Sequence, residues 1–248
     1  MGKLGGSKHL RSLVAPEFWP IPVKERFWTV KPSPGPHPIE ASIPLAILIR
    51  DMMRYATTLR EARKIIAKGL IEVDGRVRRN YKYPVGLFDV IRLVPVNKYY
   101  RVVPDNTFFM KLVEISPEEA RLKPLRIENK TTVKGGHIQL NLSDGSNIIV
   151  RVSDPRNPAE DVYDTLGTVI VEIPGRRIVD YIPLREGNYA VISGGSNVGK
   201  HGKVVSIVKG MKRYRSIITL KGADGSLIQT SLDYAYVIGR DNPVVKLG

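Results

Sequence analysis

The stretch TTLREARKIIAKGLIEVDGRVRR (residues 57–79) reads as two elements joined by a turn. Thr58 and Glu61 stand at capping-box spacing, where each side chain satisfies the other residue's backbone donor at a helix start. Gly69 stands where such a helix stops. Ala62, Ile65 and Ile66 recur at i, i+3 and i+4 and form a buried stripe, with Arg60, Arg63, Lys64 and Lys68 on the other side. LIEVDGRVRR (70–79) then alternates like a strand pair turned at Asp74-Gly75, and Arg76, Arg78 and Arg79 leave on the second strand.

Working outward, SIPLAILIRDMMRY (42–55) reads as a helix with Ser42 as cap and Pro44 in the first turn. Rotation of that helix decides whether Arg50 and Arg54 face the basic groove. Nine basic residues fall between positions 50 and 79, and an arginine array of that density suits a folded RNA backbone. Upstream, residues 1–40 hold seven of the 18 prolines, so the segment should be an extended arm. Phe18, Trp19, Phe27 and Trp28 are expected to pack on the neighbouring domain, with base stacking as the alternative. The start GKLGGSKHLR is small, flexible and basic, and reads as a disordered tail or as a segment that threads between phosphates.

The whole chain carries 39 Lys and Arg against 24 Asp and Glu, net +15. That surplus points to a polyanionic partner, nucleic acid before membrane. The surplus is unevenly placed: net +6 over 41–93 and +5 over 186–248, but +1 over 94–185. The near-neutral middle suits protein contact or a spacer. The chain has no cysteine, which excludes disulfides, Cys-ligated zinc and a cysteine nucleophile. His9, His37, His137 and His201 have no metal-ligand spacing, so no metal or other cofactor is expected. The longest apolar run, IPLAILI (43–49), is too short for a bilayer, and the N-terminus has no apolar signal core, so the chain reads as cytoplasmic.

Downstream the pattern is mostly β. HIQLNLSDGSNIIVRV (137–152) reads as a hairpin turned at Asp144-Gly145, and TVIVEIPGRRIVDYIP (168–183) as one turned near Pro174-Gly175. A short helix is expected from Ser116. Residues 186–248 read as closely spaced short strands, as in a small barrel. Within them, GGSNVGKHGKVV (194–205) contains Gly194, four residues, then Gly199-Lys200, the spacing of a phosphate-binding P-loop. Position 201 is His where a P-loop has Ser or Thr, and the adjoining GKVVSIVKG is strand-like where a P-loop starts a helix. The same residues make a hairpin turn that needs Gly202 for its backbone geometry and displays Lys200, His201 and Lys203.

These residues carry three resemblances. Residues 189–207 resemble the KOW motif of small SH3-like barrels, through Tyr189–Val191, Ser193-Gly194, Gly199-Lys200, Gly202-Lys203-Val204 and Ile207. Residues 42–93 resemble the S4-type RNA-binding domain, through Leu59, Glu61, Ala62, Ile65, Gly69, Val73, Asp74-Gly75, Val77, Pro84 and Asp89-Val90-Ile91. The chain as a whole resembles the S4e family of small-subunit ribosomal proteins of archaea and eukaryotes, with GSKHLRSLVAP (6–16), KPSPGPHP (31–38), VDGRVRRNYKYPVGLFDVI (73–91), DGSN (144–147) and YVIGR (236–240).

The fold expected is multidomain α+β, mostly β. Its parts are an extended basic arm (1–41), an S4-type helix–hairpin domain (42–93), a central β-rich domain (94–185) and a KOW-bearing SH3-like barrel (186–248). The family resemblance implies a structural ribosomal-RNA-binding protein without catalytic residues, with neighbouring ribosomal proteins as further partners and no homo-oligomer. An RNA-modifying enzyme is the rival, but the Arg-Leu-Asp context of the pseudouridine synthases that share the domain is missing. A KOW-containing transcription elongation factor would leave 42–93 without a role. The residues expected to bind RNA are Lys3, Lys8, His9 and Arg11 in the arm and Arg50, Arg54, Arg60, Arg63, Lys64, Lys68, Arg76, Arg78 and Arg79 around the groove. Lys200, His201 and Lys203 at the glycine turn join them, as do Lys212, Arg213 and Arg215 in the basic loop, where Tyr214 is placed to stack on a base or to cover the barrel.

Overall fold

The structure, a computed structural model of the chain, describes residues 6–154, 159–211, 215–222 and 224–247. Lys3, Lys212, Arg213 and Tyr214 of the expected site lie outside those residues. The chain divides into two compact units, residues 1–99 and 100–248.

In the first unit the proline-rich arm folds back on itself and is fastened to the residues that follow it. β1 (Leu10–Arg11) pairs antiparallel with β2 (Trp28–Thr29), setting Arg11 opposite Trp28. Between them Trp19 is buried, and its indole N–H donates to the Ser42 carbonyl at 2.8 Å. A buried indole needs such a partner to offset its lost hydration.

The single helix expected over 42–55 is not formed. Pro44 disfavours helical backbone at the residue before it, so Ser42–Pro44 is a strand, β3. Ser42 caps nothing; its hydroxyl donates to the Pro38 carbonyl at 2.7 Å. Helix α1 (Leu45–Ile47) begins only after the proline and widens into a π-helical turn, Leu48–Met52. There the Met53 N–H reaches back five residues to the Leu48 carbonyl. Such a widened turn accommodates a segment whose Leu45, Ala46, Ile47, Leu48 and Ile49 are all buried.

Helix α2 (Leu59–Ala67) carries the expected capping box: Thr58 Oγ1 accepts the Glu61 N–H, and the Glu61 carboxylate accepts the Thr57 and Thr58 N–H groups. Ala62 and Ile66 are buried, and Ile65 is half-buried. β4 (Ile71–Val73) and β5 (Arg76–Val77) come next, joined through Asp74 and Gly75 at φ +53° and +69°. Two consecutive left-handed residues make the tight type I′ turn that suits strand twist. β6 (Pro84–Gly86) pairs with β3, and β7 (Val90–Leu93) pairs with β4. Asp89, buried, ties the arm to this framework: its carboxylate accepts the Gly86 N–H at 2.9 Å and lies 3.1 Å from His37 Nε2.

The second unit is nearly all β. β8 (Lys98–Asp105), within which the division falls, neighbours β9 (Phe109–Ile115). Ser116 caps as expected, accepting the Glu119 N–H, but only one 3-10 turn, Glu119–Arg121, results. β10 (Leu122–Thr132) is long enough to serve two hairpins. Its second part pairs with β11 (Ile138–Leu142), which pairs with β12 (Asn147–Val150); its first part pairs with β13 (Thr168–Glu172), which pairs with β14 (Arg177–Ile182). Both sequence-expected hairpins are therefore present. β15 (Tyr189–Ile192), β16 (His201–Val208), β17 (Ile217–Lys221), β18 (Leu227–Ser231) and β19 (Ala235–Gly239) form a further sheet in the order β18-β17-β16-β15-β19. One buried cluster takes Ile170 and Ile182 from the first sheet and Ala190, Val204, Leu220 and Val237 from the second. Two polar groups pin the sheets together. The Arg126 guanidinium donates to the Asp233 and Ala235 carbonyls, and the Tyr236 hydroxyl accepts the Arg126 N–H and donates to the Pro124 carbonyl. Burial pushes the Tyr236 phenol up to about 12, so it stays a neutral donor.

Candidate nucleic-acid interface

The capping box fixes where α2 starts, and the Asp74-Gly75 turn fixes how the hairpin leaves it. Between them they set the positions of seven cations. Arg60, Arg63, Lys64, Lys68, Arg76 and Arg79 are exposed and Arg78 is half-buried. The side chain of Arg79 passes beside Gly69, whose φ of +75° ends the helix, so helix end and hairpin converge there. Two tyrosines hold arginines in place: Arg63 lies over the Tyr81 ring at 4.4 Å and Arg78 over the Tyr83 ring at 4.4 Å. Lys82 approaches Tyr81 at 5.7 Å. A guanidinium stacked on a ring keeps its in-plane donors free for a planar acceptor such as phosphate. The Nε of Arg78 is buried and meets no hydrogen-bond acceptor.

Among the described residues none of these seven cations forms an ion pair. Several cations of the near-neutral middle, by contrast, are paired internally. Arg101 pairs with Glu119 at 2.5 Å, Arg126 with Glu128 at 2.6 Å, Lys130 with Asp161 at 2.5 Å, and Lys123 and Arg176 approach Asp144. Cations consumed internally have no charge to offer; the α2–hairpin cations retain theirs.

The remaining expected residues fall in several places. Arg50 is half-buried, with its guanidinium on the adjacent Asp51 carboxylate at 2.8 Å. Arg54 is exposed at φ +57°, beyond the π-helical turn. Lys8, His9 and Arg11 are exposed on the arm. In the second unit Lys200 is exposed and donates to Asn197 Oδ1, while Lys203 pairs with Asp241 at 2.9 Å and holds that carboxyl below its ordinary value. His201 is half-buried against the Tyr189 ring, and burial pushes its pKa down, so it is neutral at neutral pH. Arg215 is exposed.

The glycine turn at 194–200 cannot cradle a phosphate. A P-loop needs free backbone donors, but here the N–H groups of Val198, Gly199 and Lys200 donate to the carbonyls of Gly195, Ile192 and Asn197. The turn leads into strand β16, paired with β15, and not into a helix.

Sequence reasoning did not single out Tyr81, Lys82 or Tyr83. The alternation of basic and aromatic residues in RRNYKYP (78–84) was the available signal. No helix of the described residues is long and apolar enough to cross a membrane.

An unpaired basic face on a rigid helix–hairpin unit is suited to recognising a polyanion. Comparison with known proteins agrees. Residues 4–40 match the RS4NT (NUC023) domain, residues 44–91 the S4 domain and residues 96–178 the ribosomal family S4e. The small ribosomal subunit protein eS4 of Desulfurococcus amylolyticus is 60% identical over all of this chain and 98% of its own. That of Methanocaldococcus jannaschii is 45% identical over the full length of both. The crystal structure of the 30S ribosomal protein S4e from Thermoplasma acidophilum superposes with a TM-score of 0.68 at 28% identity, covering 83% of this chain and 99% of that one. The chain belongs to the ribosomal S4e family.

Proposed function

We propose that this chain is a structural constituent of the small ribosomal subunit that grips ribosomal RNA through the α2–hairpin face. It is a binding protein, not an enzyme. The observation that carries the RNA-gripping site is the set of seven unpaired cations from Arg60 to Arg79, against the internally paired Arg101, Arg126 and Lys130 of the middle. Lys3, Lys8, His9 and Arg11 of the arm, Lys200, His201 and Lys203 of the β15–β16 turn and Lys212, Arg213 and Arg215 of the basic loop extend the RNA contact in this reading. Of these, Lys203 is already shared with Asp241 and His201 contributes a neutral ring. Arg54 joins the groove, whereas Arg50 serves mainly to hold Asp51. We read residues 186–248 as the KOW-bearing SH3-like barrel of a four-part layout (1–41, 42–93, 94–185 and 186–248). The glycine-turned β15–β16 hairpin and the five-strand order around it support this. The protein would work in ribosomes in the cytoplasm beside other ribosomal proteins, with the charge-balanced middle facing them.

The test is the double charge reversal Arg63→Glu/Arg78→Glu, assayed by filter binding to small-subunit ribosomal RNA. The expected result is loss of binding at RNA concentrations that saturate the parent, with an unchanged far-ultraviolet spectrum. Parental affinity in the double variant would refute the groove assignment.

A further inference from the structure

The first unit treats its two tryptophans in opposite ways. Trp19 is 3% exposed, whereas Trp28 is 54% and its neighbour Phe27 58% exposed. These two rings are not on a loose tail. The β1–β2 ladder holds them, continued by the Ser12 N–H donating to the Phe27 carbonyl at 3.0 Å and the Ser12 hydroxyl to the Arg26 carbonyl at 2.6 Å. The Phe27 ring stands edge-on to Trp28 at 4.7 Å, the His9 ring lies 5.4 Å from Trp28, and the Arg11 guanidinium sits 5.2 Å over Phe27. Beside Trp28 opens a cavity of about 140 Å³ whose wall includes Arg26 and Arg50.

Leaving two large aromatic rings in water forgoes stabilisation that burial would provide. Contact with a partner would recover it. Aromatic and arginine side chains are also enriched at protein interfaces, whereas lysine is depleted there; here the exposed rings are interleaved with Arg11, His9 and Arg26, and Lys8 lies near in sequence. Aromatic faces among cations are the composition that stacks nucleobases while neutralising the adjacent phosphates.

We propose that Phe27 and Trp28, with His9 and Arg11, form a stacking platform for an unpaired RNA nucleotide, a second contact separate from the α2–hairpin face. The inference rests on the RNA-binding reading, and the test separates the two. The full-length chain is titrated with an oligouridylate and an oligoadenylate of about eight nucleotides, and with an RNA duplex. Anisotropy of end-labelled RNA reads binding for the parent and every variant, and tryptophan fluorescence adds a local readout in the parent, since Trp28 is open to solvent and Trp19 is buried. The single strands should quench the fluorescence. Trp28→Ala should weaken their binding about 5- to 150-fold and leave duplex binding unchanged. Trp28→Phe should retain most of the affinity, because a ring remains. Trp28 is exposed, so neither variant should change the melting temperature, and Phe27→Ala provides an independent second substitution. If Trp28→Ala binds the single strands as the parent does while Arg63→Glu/Arg78→Glu loses duplex, the platform is refuted and the groove stands. An apolar segment of a neighbouring protein would then be the occupant. If the parent binds neither RNA, both readings fall together.

Discussion

Gly202 shows what a single residue can disclose and what it cannot. The spacing of glycines around 194–202 marks a tight turn, and Gly202 was expected there for its backbone freedom. In the structure the left-handed positions are Gly195 and Gly199, at φ +77° and +81°, and Gly202 is not among them. Its constraint is space: a Cβ there would lie 2.1 Å from the Lys221 carbonyl oxygen of β17. No reading of residues 194–205 could supply that reason, because the obstructing strand is remote in sequence and arrives only through the β16–β17 ladder. Gly202→Ala should therefore destabilise the second unit by about 1–3 kcal/mol, the usual range for overpacking against unyielding atoms. Gly175→Ala, where nothing lies within 4 Å, is the control and should stay within about 0.5 kcal/mol. Urea titration of the two variants measures both. Equal stabilities would mean that β17 yields at no cost.

At the scale of the element, legibility depended on whether the signal was local. The capping box, the buried stripe and the Asp74-Gly75 turn are each complete within about five residues, and α2 and its hairpin form where the sequence indicates. Residues 42–55 instead depend on β6, some forty positions downstream. That pairing, together with Pro44, draws Ser42–Pro44 into a strand and delays the helix. The Arg63–Tyr81 and Arg78–Tyr83 contacts were legible only in part: the basic–aromatic alternation of 78–84 is visible in the sequence, but which ring lies beneath which guanidinium is a matter of side-chain placement. The local signal in α2 has a pH consequence. Chiefly through the Thr57 N–H, then the Thr57 hydroxyl and the Thr58 N–H, the Glu61 carboxyl is held below its usual 4.5. A depressed carboxyl stabilises the fold above its unfolded value and loses that contribution as pH falls through the folded one. The melting temperature should thus drop on acidification below about 4.5 partly through Glu61, and Glu61→Gln should lose that part of the acid limb. Thr58→Ala, which removes the other half of the box, should cost about 1 kcal/mol at neutral pH. An acid limb unchanged in Glu61→Gln would show that the box is not formed in solution.

At the scale of the whole molecule the decisive quantity is unpaired charge. Counting residues gives +6 for 41–93 and +1 for 94–185, a contrast that was legible, but the count cannot say which cations are already engaged. The structure can: Arg101, Arg126 and Lys130 are engaged internally, while Arg60, Lys64 and Lys68 are not. Only free cations displace counterions from RNA, so only they set the dependence of affinity on salt. Lys64→Gln/Lys68→Gln should lower the slope of log affinity against log salt by about 0.7 to 0.9 for each phosphate no longer neutralised. Lys130→Met removes the same kind of charge from a site where Asp161 and the Tyr163 carbonyl already hold it. It should lower stability, because the Asp161 carboxylate loses its partner, and leave the slope where it was. Filter binding across a salt series, with each variant compared with the parent, separates the two cases. A slope that fell equally in both would mean that RNA competes successfully for the internally paired cations, and that net charge rather than its pairing governs where this protein meets RNA.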